Sequence, residues 1–267
     1  MLTLLIAVVL GSLVGTYIGN DLHSPVWGVI CGIVLVCLIQ LVIGLILRRK
    51  VMQKQQQVQQ IMVQAQGRAE RQLALYQQRQ PGNLSGAKQL ANKFQREAAK
   101  EALEAVEGFR SFYKWSPMLY RHVNTMKAQL YFQLHEFKTV DELLKKSFLA
   151  DAQSLAIMMT RMFRNQDAGL DKFYAKKCRK AKGEAGAFLA CVYGWIKLQQ
   201  GNEDAARDAL TAAAKLSDHP VLLENLDKLR NGKVKHFSNH VFGDVWFALE
   251  LEELKVKPQR MRQARPY

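Results

Sequence analysis

Residues Tyr193–Leu216 read YGWIKLQQGNEDAARDALTAAAKL, two short helical patterns joined by a Gly-Asn-Glu hinge at 201–203. Gly194 is followed twelve residues on by Ala206, then by Leu210 and Ala213, with Pro220 beyond the second segment. A small residue on the first helix admits the second at close range, and the larger one fills the groove toward a neighbour. The stretch therefore predicts a helix–turn–helix unit that needs further units against it to bury both faces.

An earlier stretch keeps the same intervals. Ala128 and Tyr131 precede His135-Glu136-Phe137, and Val140, Leu144 and Ser147 follow. Between the two, Leu155, Met158, Met159, Met162 and Phe163, then Leu170, Phe173 and Tyr174, predict a third pair; neither Met158 nor Leu170 is small, so it departs from the pattern. Methionines at this spacing read as core packing. The intervals resemble the tetratricopeptide repeat over residues 118–220, and Ala128 and Gly194 lie about two periods of roughly 34 residues apart. That resemblance implies a stack of about three helix pairs packed through Ala128, Val140, Leu144, Gly194, Ala206, Leu210 and Ala213. It also implies a groove for a protein partner along the first helices, lined by Lys127, Tyr131, Gln133, Lys197 and Gln200. A helical-hairpin stack of other geometry is the alternative.

Alternating β-branched runs are absent, so the expected class is all-α. Upstream, Leu90, Phe94, Leu103, Val106 and Phe109 predict one long helix, and Ser116-Pro117 reads as a cap with a first-turn proline. Downstream, Val241, Val245, Trp246, Leu249 and Leu254 predict a helix over 236–253 that caps the stack. Residues 255–267 carry five basic residues and no acid, a tail available to an anionic surface.

The chain opens differently. MLTLLIAVVLGSLVGTYIG has no charged residue, and Val26–Leu47 is a second apolar stretch with Gln40 as its one strongly polar residue. Each is about long enough to cross a bilayer, and turn-forming residues lie between them at 19–25. No basic segment precedes the first stretch, which argues against a cleaved signal peptide. The loop has no Lys or Arg, whereas Arg48-Arg49-Lys50 and Lys54 follow the second stretch. That bias predicts a two-span hairpin in a cell inner membrane, with both termini cytoplasmic. Gly11, Gly15 and Gly19 in the first span and Gly28 and Gly32 in the second form stripes suited to close helix packing. The stripes serve the two spans of one chain or association between chains.

Residues 51–80 are rich in Gln and carry Val51, Val58 and Ala65 seven apart, with Lys54, Arg68 and Gln72 interrupting the seam. They predict a helical stalk, with a homo-oligomeric coiled coil as its further use. The expected organisation is thus a transmembrane hairpin over 1–48, a stalk over 49–85, a helical-repeat domain over 86–254 and a basic tail over 255–267. Two membrane spans ahead of cytoplasmic repeats resemble the HemY-type inner-membrane proteins in architecture alone, which implies no haem chemistry.

The net charge is +15, and with Asp21 the one charged residue before Arg48, the part from Arg48 onward carries +16. It favours anionic inner-leaflet lipid as a neighbour, with nucleic acid the less favoured partner because no binding fold accompanies the charge. Cys31, Cys37, Cys178 and Cys191 have no zinc or disulfide spacing and read as reduced structural thiols. No phosphate loop, glycine fingerprint or nucleophile elbow is present. His236 and His240, four apart with Asp244 beyond, are the nearest approach to a metal pair, but no third ligand is in view. No catalytic, cofactor or metal site is therefore expected. The functional expectation is a membrane-anchored adaptor whose repeat domain binds proteins at the membrane. The alternatives are a basic tethered module for anionic lipid or nucleic acid, and an accessory subunit of a membrane enzyme or secretion complex.

Overall fold

The structure, a computed structural model, describes residues 2–21, 25–80, 83–114 and 117–252. All regular structure among them is helical, and the chain divides into two compact units at Leu149/Ala150. The basic tail and Ser116 lie outside the described residues.

The first unit begins with α1 (Leu2–Asp21) and α2 (Pro25–Arg79). One helix, α2, is long and apolar enough to cross a membrane; in α1 the apolar helix among described side chains is the shorter Ala7–Ile18. The two pack together through backbone. A methyl group placed on Gly15 would lie 2.7 Å from the Gly28 carbonyl oxygen, and one on Gly11 would lie 2.9 Å from that of Gly32. Gly11, Gly15, Gly28 and Gly32 are buried, so the predicted stripes meet inside one chain. Of Gly19 only its place in the helix is described.

α2 continues without a break into its Gln-rich half, and α3 (Leu84–Glu107) returns along it. Asn83 starts α3 by accepting a hydrogen bond from the Gly86 amide at 3.0 Å. The stalk's heptad residues find their partner here: Val58 and Ala65 are buried, and Val58 joins Ala99, Ala102, Val106 and Phe109 in one core. Three-ten turn Gly108–Phe112 then leads to α4 (Pro117–Gln133), which adds Val123 and Leu130 to that core, and α5 (Phe137–Lys145) follows.

The second unit contains α6 (Ala152–Arg164), α7 (Leu170–Lys177), α8 (Gly183–Gln199), α9 (Glu203–Ala214), α10 (Pro220–Arg230) and α11 (Asp244–Phe247). α8 is buried without interruption from Gly186 to Gly194, which makes it the central helix. Gly194 faces Leu210 closely enough that an added methyl would lie 2.6 Å from the Leu210 Cδ1. Ala187, Cys191, Ala206, Leu210 and Ala213 share a core with Leu222, Leu226 and Leu229 of α10.

The three helix pairs predicted from sequence are present as α4–α5, α6–α7 and α8–α9. Each first helix ends on a residue with left-handed backbone: His135 at φ 62°, Gln166 at φ 53° and Gly201 at φ 74°. Each ends with the same two bonds as well. The amide after the left-handed residue reaches back to Tyr131, Met162 or Lys197, and the left-handed residue's own amide to Phe132, Phe163 or Leu198. This is the Schellman closure that satisfies the last helical carbonyls. Only one of the three sites uses glycine, so the shared turn is hidden from a search for glycine.

The predicted closing helix over 236–253 is corrected. The segment forms three-ten turns at Val234–His236 and His240–Phe242, then the one-turn α11. The reason is polar: Asn239 is fully buried, donates to the Cys191 carbonyl at 3.0 Å and accepts from Asn225 at 3.1 Å. The Asn225 side chain in turn accepts from the Ser238 amide at 3.1 Å and donates to the Ser238 carbonyl at 2.9 Å, taking backbone bonds that a continuous helix would have made.

Exposed Gly44 has nothing within 4 Å of an added methyl group, in contrast to Gly15. Gly15→Val is therefore expected to cost about 1–3 kcal/mol by forcing the two helices apart, whereas Gly44→Ala is expected to leave stability unchanged. Thermal unfolding of the full chain in detergent, followed by circular dichroism, measures the difference.

Candidate functional site

The groove residues expected from the repeat resemblance divide between the units. In the first unit Lys127 pairs with Glu107 across α4 and the end of α3. Tyr131 is half-buried, and burial followed by the charges of Glu136 and Glu107 pushes its hydroxyl up. Gln133 edges a separate cleft of about 300 Å³ between α2 and α3, beside Met62, Ala65, Phe94 and Ala98. These three residues share one helix but do not line one depression.

In the second unit, Lys197 and Gln200 do meet. They lie at the end of α8 on a cleft of about 430 Å³, with Phe163, Arg164, Leu170 and Asp171 as its other walls. Lys197 is buried, with 7% of its side chain exposed, and its ammonium contacts Asp171 Oδ1 at 2.5 Å. The same ammonium donates to Gln200 Oε1 at 3.0 Å. Tyr193, one helical turn earlier, donates to Asp171 at 2.9 Å and stacks on Tyr174 with ring centroids 3.9 Å apart.

The electrostatics follow from this geometry. Partial burial pushes the Asp171 carboxyl up, but the hydrogen bonds from Lys197 and Tyr193 and the Lys197 charge outweigh it, so it sits below its ordinary value. Burial, then the bond to Asp171, pushes the Tyr193 hydroxyl up and keeps it a donor. Lys197 is thus a spoken-for cation that shapes the cleft floor, whereas Gln200 is exposed at the rim. Asp171 and Tyr193 join the cleft without belonging to the expected groove set. Asp171 lies on a different helix pair, so no local spacing connects it to Lys197.

A second polar hub lies where the closing turns meet α8. Glu252 accepts from Trp195 Nε1 at 2.7 Å and Trp246 Nε1 at 3.1 Å, and its Oε2 lies 2.8 Å from His240 Nε2. Trp246 is fully buried and stacks edge-on to Trp195, with Phe163 beyond. Sequence could not join Trp195 to a carboxylate 57 residues away. His236 and His240 fall on separate turns and not on one helix, and no cluster of three metal-ligating side chains occurs among the described residues. Burial pushes the Cys178 and Cys191 thiols up to about 12, so both are poor nucleophiles at neutral pH.

Removing one partner of the Lys197–Asp171 pair has unequal consequences. Asp171→Asn leaves a buried cation without its anion and is expected to cost about 1–3 kcal/mol. Lys197→Met is expected to cost less, because Asp171 is 61% exposed and stays hydrated. The carboxyl is depressed in the folded state, so its contribution is full above its ordinary value of 3.8 and is lost as pH falls through the lower folded value. Urea unfolding of the parent and Asp171→Asn chains should therefore show a gap at neutral pH that closes below pH 3.8.

No family model, no curated protein and no solved structure matches the chain.

Proposed function

We propose that this chain is a membrane-anchored adaptor, held in a cell inner membrane by the α1–α2 hairpin, whose helical units bind partner proteins on the cytoplasmic side. The observation that carries the reading is α2 itself. It is one unbroken helix whose first half exposes Val29, Ile33, Leu38, Leu41 and Leu45, and whose second half is covered by the chain's own α3. Exposed apolar surface of that extent needs lipid or another apolar cover.

The positive residues directly after Leu47 support an orientation with both termini cytoplasmic. The close α1–α2 contact supports two spans, since a first helix with Gly against Gly is stable in lipid without polar bonds. Support for a binding role comes from the α8 cleft, where a rim of Gln200 and Arg164 surrounds a preorganised floor. Tethering raises the effective concentration of such a cleft at the bilayer, so modest affinity suffices. A tetratricopeptide-like stack and a HemY-type arrangement remain part of this proposal and rest on the residue intervals quoted above.

Two measurements test it. A cysteine at position 20 should react with an impermeant maleimide in intact spheroplasts, and one at position 200 only after lysis; the reverse pattern overturns the orientation. Crosslinking in native membranes should then recover a defined protein set with the full chain that is absent when it stops at Leu149. Recovery weakened by Gln200→Arg would place the contact at the cleft rim, and equal recovery from both lengths would overturn a binding role for the second unit.

A further inference from the structure

α2 provides a ruler for the first unit. Its apolar stretch ends at Leu47, and Arg48-Arg49-Lys50 follow. Val51 and Lys54 lie four and seven residues further, about 6–10 Å along the axis at 1.5 Å per residue. A headgroup layer is about 5–8 Å deep on each side of the hydrocarbon core. These two residues therefore fall within it or at its edge if α2 spans.

The chain returns to that level. Val51 packs on the core that holds Phe109, with Phe112 and Tyr113 also against it, and the Cβ position of Gly108 lies 3.8 Å from Lys54 Nζ. The three-ten turn Gly108–Phe112 thus sits beside the first helical turns beyond the basic residues. Tyr113 meets Tyr120 of α4 edge-on, with ring centroids 5.2 Å apart. Phe148, after α5, is held at the same end of α4: its amide donates to the Arg121 carbonyl at 3.2 Å, and its carbonyl accepts from Thr125 at 3.0 Å.

The surface at this level has a distinct composition. Beyond α2, the large apolar side chains exposed in the first unit, among the described residues, are Met118, Tyr120 and Phe148, at 57%, 40% and 42%. All three lie at this end, and Met52 of α2 is exposed there too. On the same segments Arg110, Lys114, Arg121, Lys145 and Lys146 are exposed, with Glu142 an exposed acid of α5, and residues 108–122 contain no acid. Aromatic and long apolar side chains on segments with a cationic excess match the layer between acyl chains and anionic headgroups.

We infer that the three-ten turn Gly108–Phe112, the first turns of α4 and Phe148 form an interfacial platform that seats Met118, Tyr120 and Phe148 in the anionic headgroup layer of the bilayer that α2 crosses. The inference rests on the membrane reading of α2 and adds to it a second, non-spanning contact. Each Lys or Arg near the surface strengthens attraction to anionic lipid, and the apolar side chains add insertion that salt does not screen. The platform would hold the first unit upright against the bilayer in a defined way, where a single helix would leave it free to swing.

The test is photocrosslinking of the full chain in phosphatidylcholine–phosphatidylglycerol nanodiscs, with p-benzoylphenylalanine at one position at a time: 38, 75, 120 or 148. Leu38 lies within the apolar stretch, and Leu75 is 48% exposed on the far half of α2, about 42 Å beyond Leu47. Phospholipid adducts are expected at 38, 120 and 148, several-fold above position 75. Adducts at 38 with positions 120 and 148 no higher than 75 overturn the platform and leave the span standing. No adduct at 38 overturns the membrane reading and the platform with it. In native membranes, adducts at 120 and 148 to a polypeptide and not to lipid overturn the platform in favour of a protein contact.

Discussion

The packing of α3 back along the second half of α2 is the constraint on which the first unit depends. A 55-residue helix exposes two incompatible surfaces, one apolar all round and one rich in Gln. The Gln-rich half keeps a seam of Val51, Val58, Met62 and Ala65, and α3 covers that seam with Ala98, Ala99, Ala102 and Val106. The alanines of α3 let the axes come close over that seam, so the stalk is a two-helix hairpin stiffened along its length. The seam is thereby covered within one chain.

The same economy governs α1 and α2. Where the chain is apolar on every side, no hydrophobic gain distinguishes one helix face from another in lipid, and close backbone approach does instead. Glycine at 11, 15, 28 and 32 permits that approach, and the carbonyl oxygens at 28 and 32 occupy the space that side chains would need. In the second unit hydrophobic burial dominates: α8 is covered on most sides, and three sets of polar groups drawn inside are paired. Lys197 with Asp171, Asn225 with Asn239, and the two indoles with Glu252 each satisfy a donor that burial would otherwise penalise.

Ion pairs within the protein also explain why the candidate surface is narrower than the repeat pattern implied. Helical periodicity marks which face of α4 or α8 turns away from its partner, and it placed Lys127 and Lys197 there. It carries no information on the helix that arrives next. Lys127 meets Glu107 and Lys197 meets Asp171, so two of the five expected groove residues are held by the protein's own carboxylates. Gln200 keeps its exposure at a cleft rim.

What the sequence by itself determined was whatever depends on near neighbours. The all-α class, the apolar N-terminal stretches, the three helix pairs and the contact of Gly194 with Leu210 all follow from three- and four-residue spacing or from composition. Tertiary structure decided what depends on partners far along the chain. The irregular closing segment around Asn239 and the indole–carboxylate hub at Glu252 have no local signature, because each is stabilised by groups from other elements. The same holds for the level at which Tyr120 and Phe148 sit: it is set by how far α3 runs back along α2, a length that only packing between the two helices can fix.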